Sequence, residues 1–108
     1  MIRLDAEAVD SLLVEAMHGN LHLHVVDGGH DRESAYDAFE AALDLPDWFG
    51  RNLDALYDCL LDIVDRHEGP WTLLWLPAAG SEAADDAGLL GVLADLEMES
   101  EGLTVAVG

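Results

Sequence analysis

Three carboxylates, Asp54, Asp58 and Asp62, recur every fourth residue in a segment that opens with Asn52. At 3.6 residues per turn this spacing stacks them along one flank of a helix, with Tyr57 and Leu61 three residues beyond Asp54 and Asp58 on the same exposed stripe. The stripe works against the helix, because like charges four apart cost ~0.2–0.5 kcal/mol per pair and Asp is a poor helix former past the first turn. Asp54 has a local reason for its place, since a first-turn carboxylate complements the helix dipole. Asp58 has none beyond the general acidity of the chain. A rigid row of carboxylates suits the cationic side chains of a basic protein, which it can meet through charge-assisted hydrogen bonds. It does not suit Mg²⁺, because aspartates strung along one flank do not converge into a six-oxygen site.

The elements around this row follow from the same spacing rules. Asn52 is a good N-cap and Pro46 stops the preceding helix, so the acidic helix starts at about Leu53, with Leu53, Leu56, Leu60, Ile63 and Val64 on its buried face. The break before it carries two adjacent aromatics and Gly50. Trp48 is expected outward and Phe49 inward, since two exposed rings side by side are a liability. Upstream, Asp31 caps a helix over Arg32–Leu43 with Ala35, Phe39, Ala42 and Leu43 inward and Glu33, Asp37 and Glu40 outward. Residues 21–26 alternate as a strand, ending at Asp27-Gly28-Gly29. His22 and His24 share one face of that strand; no third ligand is evident from the sequence, so they read as satisfied or half-exposed histidines and no metal site is expected.

Beyond the acidic helix, Glu68-Gly69-Pro70 makes a turn and Trp71–Leu76, apolar at nearly every position, reads as a strand covered on both faces. Residues 77–86 form a loop with one helical turn. Residues 88–100 are a helix burying Leu89, Val92, Leu93 and Leu96, and Leu103–Val107 is a last strand. Residues 1–19 read as a further amphipathic helix, with Val9, Leu12, Leu13, Ala16 and Met17 on one face, Asp5 as N-cap and Gly19-Asn20 as the stop. Strands separated by helices imply parallel pairing through right-handed crossovers. The expected architecture is α/β: a small three-stranded parallel sheet with helices packed on it.

With 108 residues, 51% of them apolar, the chain is sized for one domain with a real core. Its 23 acidic against 4 basic side chains give a formal charge of −19, which repels phosphates and excludes nucleic acid as a direct ligand. A basic protein is the natural complement, although the charge alone is also a solubility or halophilic trait. The lone cysteine, Cys59, reads as a packed thiol in a reducing compartment. No signal pattern opens the sequence and no apolar stretch approaches a membrane span, so the expected location is cytoplasmic. No phosphate-cradling glycine pattern and no specific nucleophile–base arrangement is present. No catalytic residue, metal or cofactor is expected, and the chain is not expected to be an enzyme.

The run Leu-Pro-Asp-Trp-Phe-Gly-Arg-Asn-Leu-Asp-Ala-Leu-Tyr-Asp-Cys-Leu, residues 45–60, resembles the signature of the barstar family, the intracellular inhibitors of secreted barnase-like ribonucleases. The order of elements agrees more weakly over residues 21–107 and leaves out 1–20. The resemblance implies one barstar-like domain over 1–108, with 1–20 an additional helical segment. It implies that Trp48 is the loop aromatic lying on the nuclease's base-binding surface, beside Phe49, with Gly50 holding the turn and Asn52 the cap. It implies that Asp54 and Asp58 enter the nuclease active site with Tyr57 between them, flanked by Leu61 and Asp62. Glu97 and Glu101, four apart at the end of the last helix, would match acidic rim residues. Tyr57 stands where barstar itself has a bulkier tryptophan and Leu61 where it has a small hydroxyl residue, departures that touch the partner more than the fold. The implied partner is a basic ribonuclease or nuclease toxin, bound by a monomer in a 1:1 complex. The alternative is an acidic interaction or regulatory module of the same fold that binds another basic protein.

Overall fold

A computed structural model describes residues 1–19 and 21–108. Ile2–Arg3 (β1) leads into a helix over Ala6–Met17 (α1), followed by Leu23–Asp27 (β2), Arg32–Leu43 (α2), Leu53–Arg66 (α3), Trp71–Leu76 (β3), a 3₁₀ turn at Ala83–Asp85, Ala87–Glu99 (α4) and Leu103–Val107 (β4). The helix starts are set by short polar side chains. Asp5 accepts from the Ala8 N–H, Asp31 from Ser34, Asn52 from Ala55, and Asp86 from both Gly88 and Leu89. The stop expected at Gly19-Asn20 falls partly on Asn20, which lies outside the described residues.

All strands pair in parallel in the order β1-β4-β3-β2. The sheet therefore has four strands instead of the expected three. Ile2 and Arg3 pair with Ala106 and Val107, and the Leu4 N–H donates to the Val107 carbonyl at 2.8 Å. A two-residue strand shows no alternation for a sequence reading to detect, and only the waiting edge of β4 defines it.

Val26, Leu73, Trp75, Val105 and Val107 share one core with Phe39 of α2, Leu56 and Leu60 of α3, and Leu89, Leu93 and Leu96 of α4. Leu74 and Ala106, one residue out of phase, are buried outside that core, so β3 is covered on both faces as its composition predicts. Two inward assignments are corrected. Ala42 is exposed, and Tyr36 takes the buried position on α2 because its ring packs edge-on against Phe49 at 5.7 Å. On α1, Met17 is exposed, while Val9, Leu12, Leu13 and Ala16 are half-buried. No helix is long and apolar enough to cross a membrane among the described residues.

Candidate functional site

The loop from Asp44 to Asn52 is fastened at both ends. Asp44 and Arg51 adopt left-handed backbone at φ 51° and 52°, a conformation that non-glycine residues hold only when their surroundings over-determine it. At Arg51 the surroundings are visible: its guanidinium donates to Asp37 at 2.8 Å and to Glu33 at 3.1 Å, and lies over the Tyr36 ring at 5.9 Å. From below, Phe49 is buried against Tyr36. Trp48 is left 64% exposed. The outward and inward assignments of the two rings hold, and their consequence is a correction for Phe49. Grouped with the partner-facing residues, it instead supports the loop from beneath.

Gly50 fits a tight corner, where a Cβ would lie 3.2 Å from the Asn52 amide nitrogen. The same Asn52 side chain caps α3 and donates to the Gly50 carbonyl, so its polar groups are engaged within the loop. Arg51, absent from the sequence-based site, is the residue that orients this loop. The cue was available in principle, as a lone cation among Glu33, Asp37 and Glu40 spaced along one helix face.

The acidic helix meets α4 along a groove lined by Asp54, Tyr57 and Asp58 from α3 and by Val92, Asp95, Met98 and Glu99 from α4. Close approach of the two helices begins at Gly88, where a Cβ would lie 2.6 Å from Leu53. Asp54 and Asp58 are exposed, and Tyr57 is half-buried between them. Burial first, then the charges of Glu99, Asp95 and Asp58, pushes the Tyr57 phenol above its ordinary value. Asp62 and Leu61 stand outside the groove: Asp62 pairs with Arg66 one turn on at 3.1 Å, and Leu61 packs half-buried against the core. Beneath the stripe Cys59 is buried, and its thiol is pushed up by burial and by Asp58 and Asp62.

The acidic residues of α4 are differently placed from expectation. Glu101 lies past the helix, which ends at Glu99 with Ser100 as its C-cap. Glu97 is committed inside the chain, taking the Val105 N–H at 2.6 Å and the N-terminal ammonium of Met1. Burial alone would raise its carboxyl, but these bonds outweigh it and hold the group below the ordinary range. Asp95 and Glu99 take the groove positions. They were legible in principle, because two residues on a helix span about 200° and Glu97 must face away from the side that Asp95 and Glu99 share.

The four basic side chains are all arginines, and each is engaged elsewhere. Arg3 donates to the Ala84 carbonyl, Arg32 clasps Asp86, Arg51 holds α2, and Arg66 holds Asp62. Among the described residues no salt bridge reaches Asp54, Asp58, Asp95 or Glu99. The groove thus presents negative charge that no salt bridge among the described residues compensates, an arrangement that favours cationic donors brought by another molecule.

Residues 21–107 match the family model described as Barstar (barnase inhibitor). Over 33 residues the chain is 54% identical to "Putative ribonuclease inhibitor YrdF" of Bacillus subtilis (strain 168), a stretch amounting to 31% of this chain and 36% of that protein's length.

Proposed function

Because the chain belongs to the barstar family, we propose that it inhibits a secreted barnase-like ribonuclease by occlusion. Asp54 and Asp58 enter the cationic cleft, Tyr57 packs between them, and Trp48 lies on the base-binding surface. The observation that carries this reading is the groove between α3 and α4, where four carboxylates on two helices have no salt-bridge partner among the described residues. A ribonuclease must gather Arg, Lys and His to hold phosphate, and such a groove offers those groups the charge of the substrate. Asp95 and Glu99 extend the acidic surface in the role first assigned to Glu97 and Glu101. No turnover, cofactor or catalytic residue belongs to this mechanism. The protein acts as one domain, a monomer in a 1:1 cytoplasmic complex, with β1 and α1 added to the family core.

Incubation with a panel of barnase-like and related microbial ribonucleases, followed by an RNA-cleavage assay, tests the reading. Stoichiometric loss of cleavage with at least one enzyme is expected. Full activity across the panel favours instead an acidic interaction module that binds some other basic protein.

A further inference from the structure

The far end of α3 carries a second constellation, unconnected with the acidic groove. A 14-residue helix is about 20 Å long at ~1.5 Å per residue, so His67 at its C-cap stands well away from Asn52. His67 is 43 residues from His24 in sequence, yet the topology joins them. β2 and β3 run parallel, so the chain leaving α3 must return to the end of the sheet where β2 begins. The Thr72 N–H donates to the His22 carbonyl at 2.9 Å, which sets the two strand starts side by side.

As a result, ligating nitrogens of His22, His24 and His67 all lie within 4.8 Å of one another. The Nε2 atoms of His24 and His67 are 3.1 Å apart. Two imidazole nitrogens bound tetrahedrally at ~2.0–2.1 Å from one ion would be about 3.3–3.4 Å apart, close to the spacing that the two rings hold here through a mutual hydrogen bond, which an ion would replace. The ring planes are held from behind. His67 stacks on Trp71 at 4.3 Å with 6° between planes, and His24 meets the same indole edge-on at 5.2 Å. His22 is exposed, so the open side of the cluster faces solvent.

We propose that His22, His24 and His67 form a site for a first-row divalent transition metal of the Zn²⁺ type, bound by three imidazoles with a fourth position open to water. Three nitrogen donors select such ions over Mg²⁺ and Ca²⁺, which require oxygen ligands. The strongly negative chain adds a favourable field for any cation. An ion there would clip the edge strand β2 to the end of α3 and would stabilise the fold by mass action.

The test is calorimetric titration of chelator-treated protein with ZnCl₂ in excess Mg²⁺, which occupies surface carboxylates, paired with thermal melts. The parent is expected to take up one equivalent and to melt at higher temperature with the metal. His22→Ala, at an exposed position, should fold as the parent and bind at least about tenfold more weakly, and His24→Ala should do the same. His30→Ala, an exposed histidine outside the cluster, should match the parent in both readouts. Absence of saturable Zn²⁺ uptake by the parent, or parent-like uptake by both His22→Ala and His24→Ala, overturns the proposal. Neither outcome touches the ribonuclease reading.

Discussion

The Arg51 guanidinium reaches the Asp37 carboxylate at 2.8 Å and so ties the loop carrying Trp48 to the outer face of α2. It is a polar fastening of the loop that acts beside the Asn52–Gly50 hydrogen bond and the apolar packing of Phe49. Arg51→Ala should leave the core intact, lower the melting temperature slightly and weaken ribonuclease binding several-fold, because Trp48 must then be ordered on binding. Time-resolved anisotropy of Trp48 in a Trp71→Phe, Trp75→Phe background should show faster ring motion in the Arg51→Ala protein. Unchanged anisotropy would deny Arg51 a part in ordering the loop.

Asp58→Ala should weaken inhibition at least about a hundredfold, taking tenfold per 1.4 kcal/mol, since the nuclease cations would be buried without a partner. Its thermal stability should be unchanged or slightly higher, because Asp58 repels Asp54 and Asp62 and lies past the dipole's reach. Asp54→Ala should be milder in binding and lose a little stability. Unfolding of the Asp58→Ala protein in a circular-dichroism melt, or parent-like inhibition, would contradict its role as the plug.

Burial and the charges of Glu99, Asp95 and Asp58 raise the Tyr57 phenol. Glu99→Gln should therefore bring its pKa down toward the ordinary value of about 10 while leaving Tyr36 unmoved. A pH titration followed by carbon NMR of labelled tyrosines separates the two rings. No movement of Tyr57 would show that α4 does not face it in solution.

Asp86 has a depressed carboxyl because Arg32 donates to it at 2.8 and 2.9 Å, with the Leu89 and Gly88 N–H groups adding to the effect against burial. Its folded pKa lies below the unfolded value, so the unfolded chain takes up the proton first as pH falls. The stabilisation is fully present above about pH 4 and is lost as pH falls through the depressed folded value. Asp86→Asn keeps a good N-cap and removes the charge. Urea unfolding between pH 6 and pH 2.5 should show the parent's advantage over Asp86→Asn shrinking in that window, while relief of general acidic repulsion affects both alike. An advantage constant with pH would deny the Arg32 pair any part in folding.

With −19 formal charges against a basic nuclease, association should be fast at low salt and slow steeply with ionic strength, with dissociation changing less. Stopped-flow binding measures both rates. An association rate indifferent to salt would assign the charge to solubility.

Local sequence determined much of this protein. The Asn52 cap and the phase of α3 depend on neighbours within a few residues, where the helical period acts directly; the doubly covered strand at Trp71–Leu76 was legible from its apolar composition, and the outward Trp48 and inward Phe49 from the liability of two exposed rings side by side. Tertiary structure decided the rest. It showed that Ile2 and Arg3 pair with β4, because a two-residue strand exists only where an edge awaits it. It turned Glu97 inward and Asp95 and Glu99 toward α3, because at 100° per residue a small error in helix phase exchanges one face for another. It also brought His67 to His22 and His24, since residues 43 apart meet only after parallel strands return the chain to the same end of the sheet.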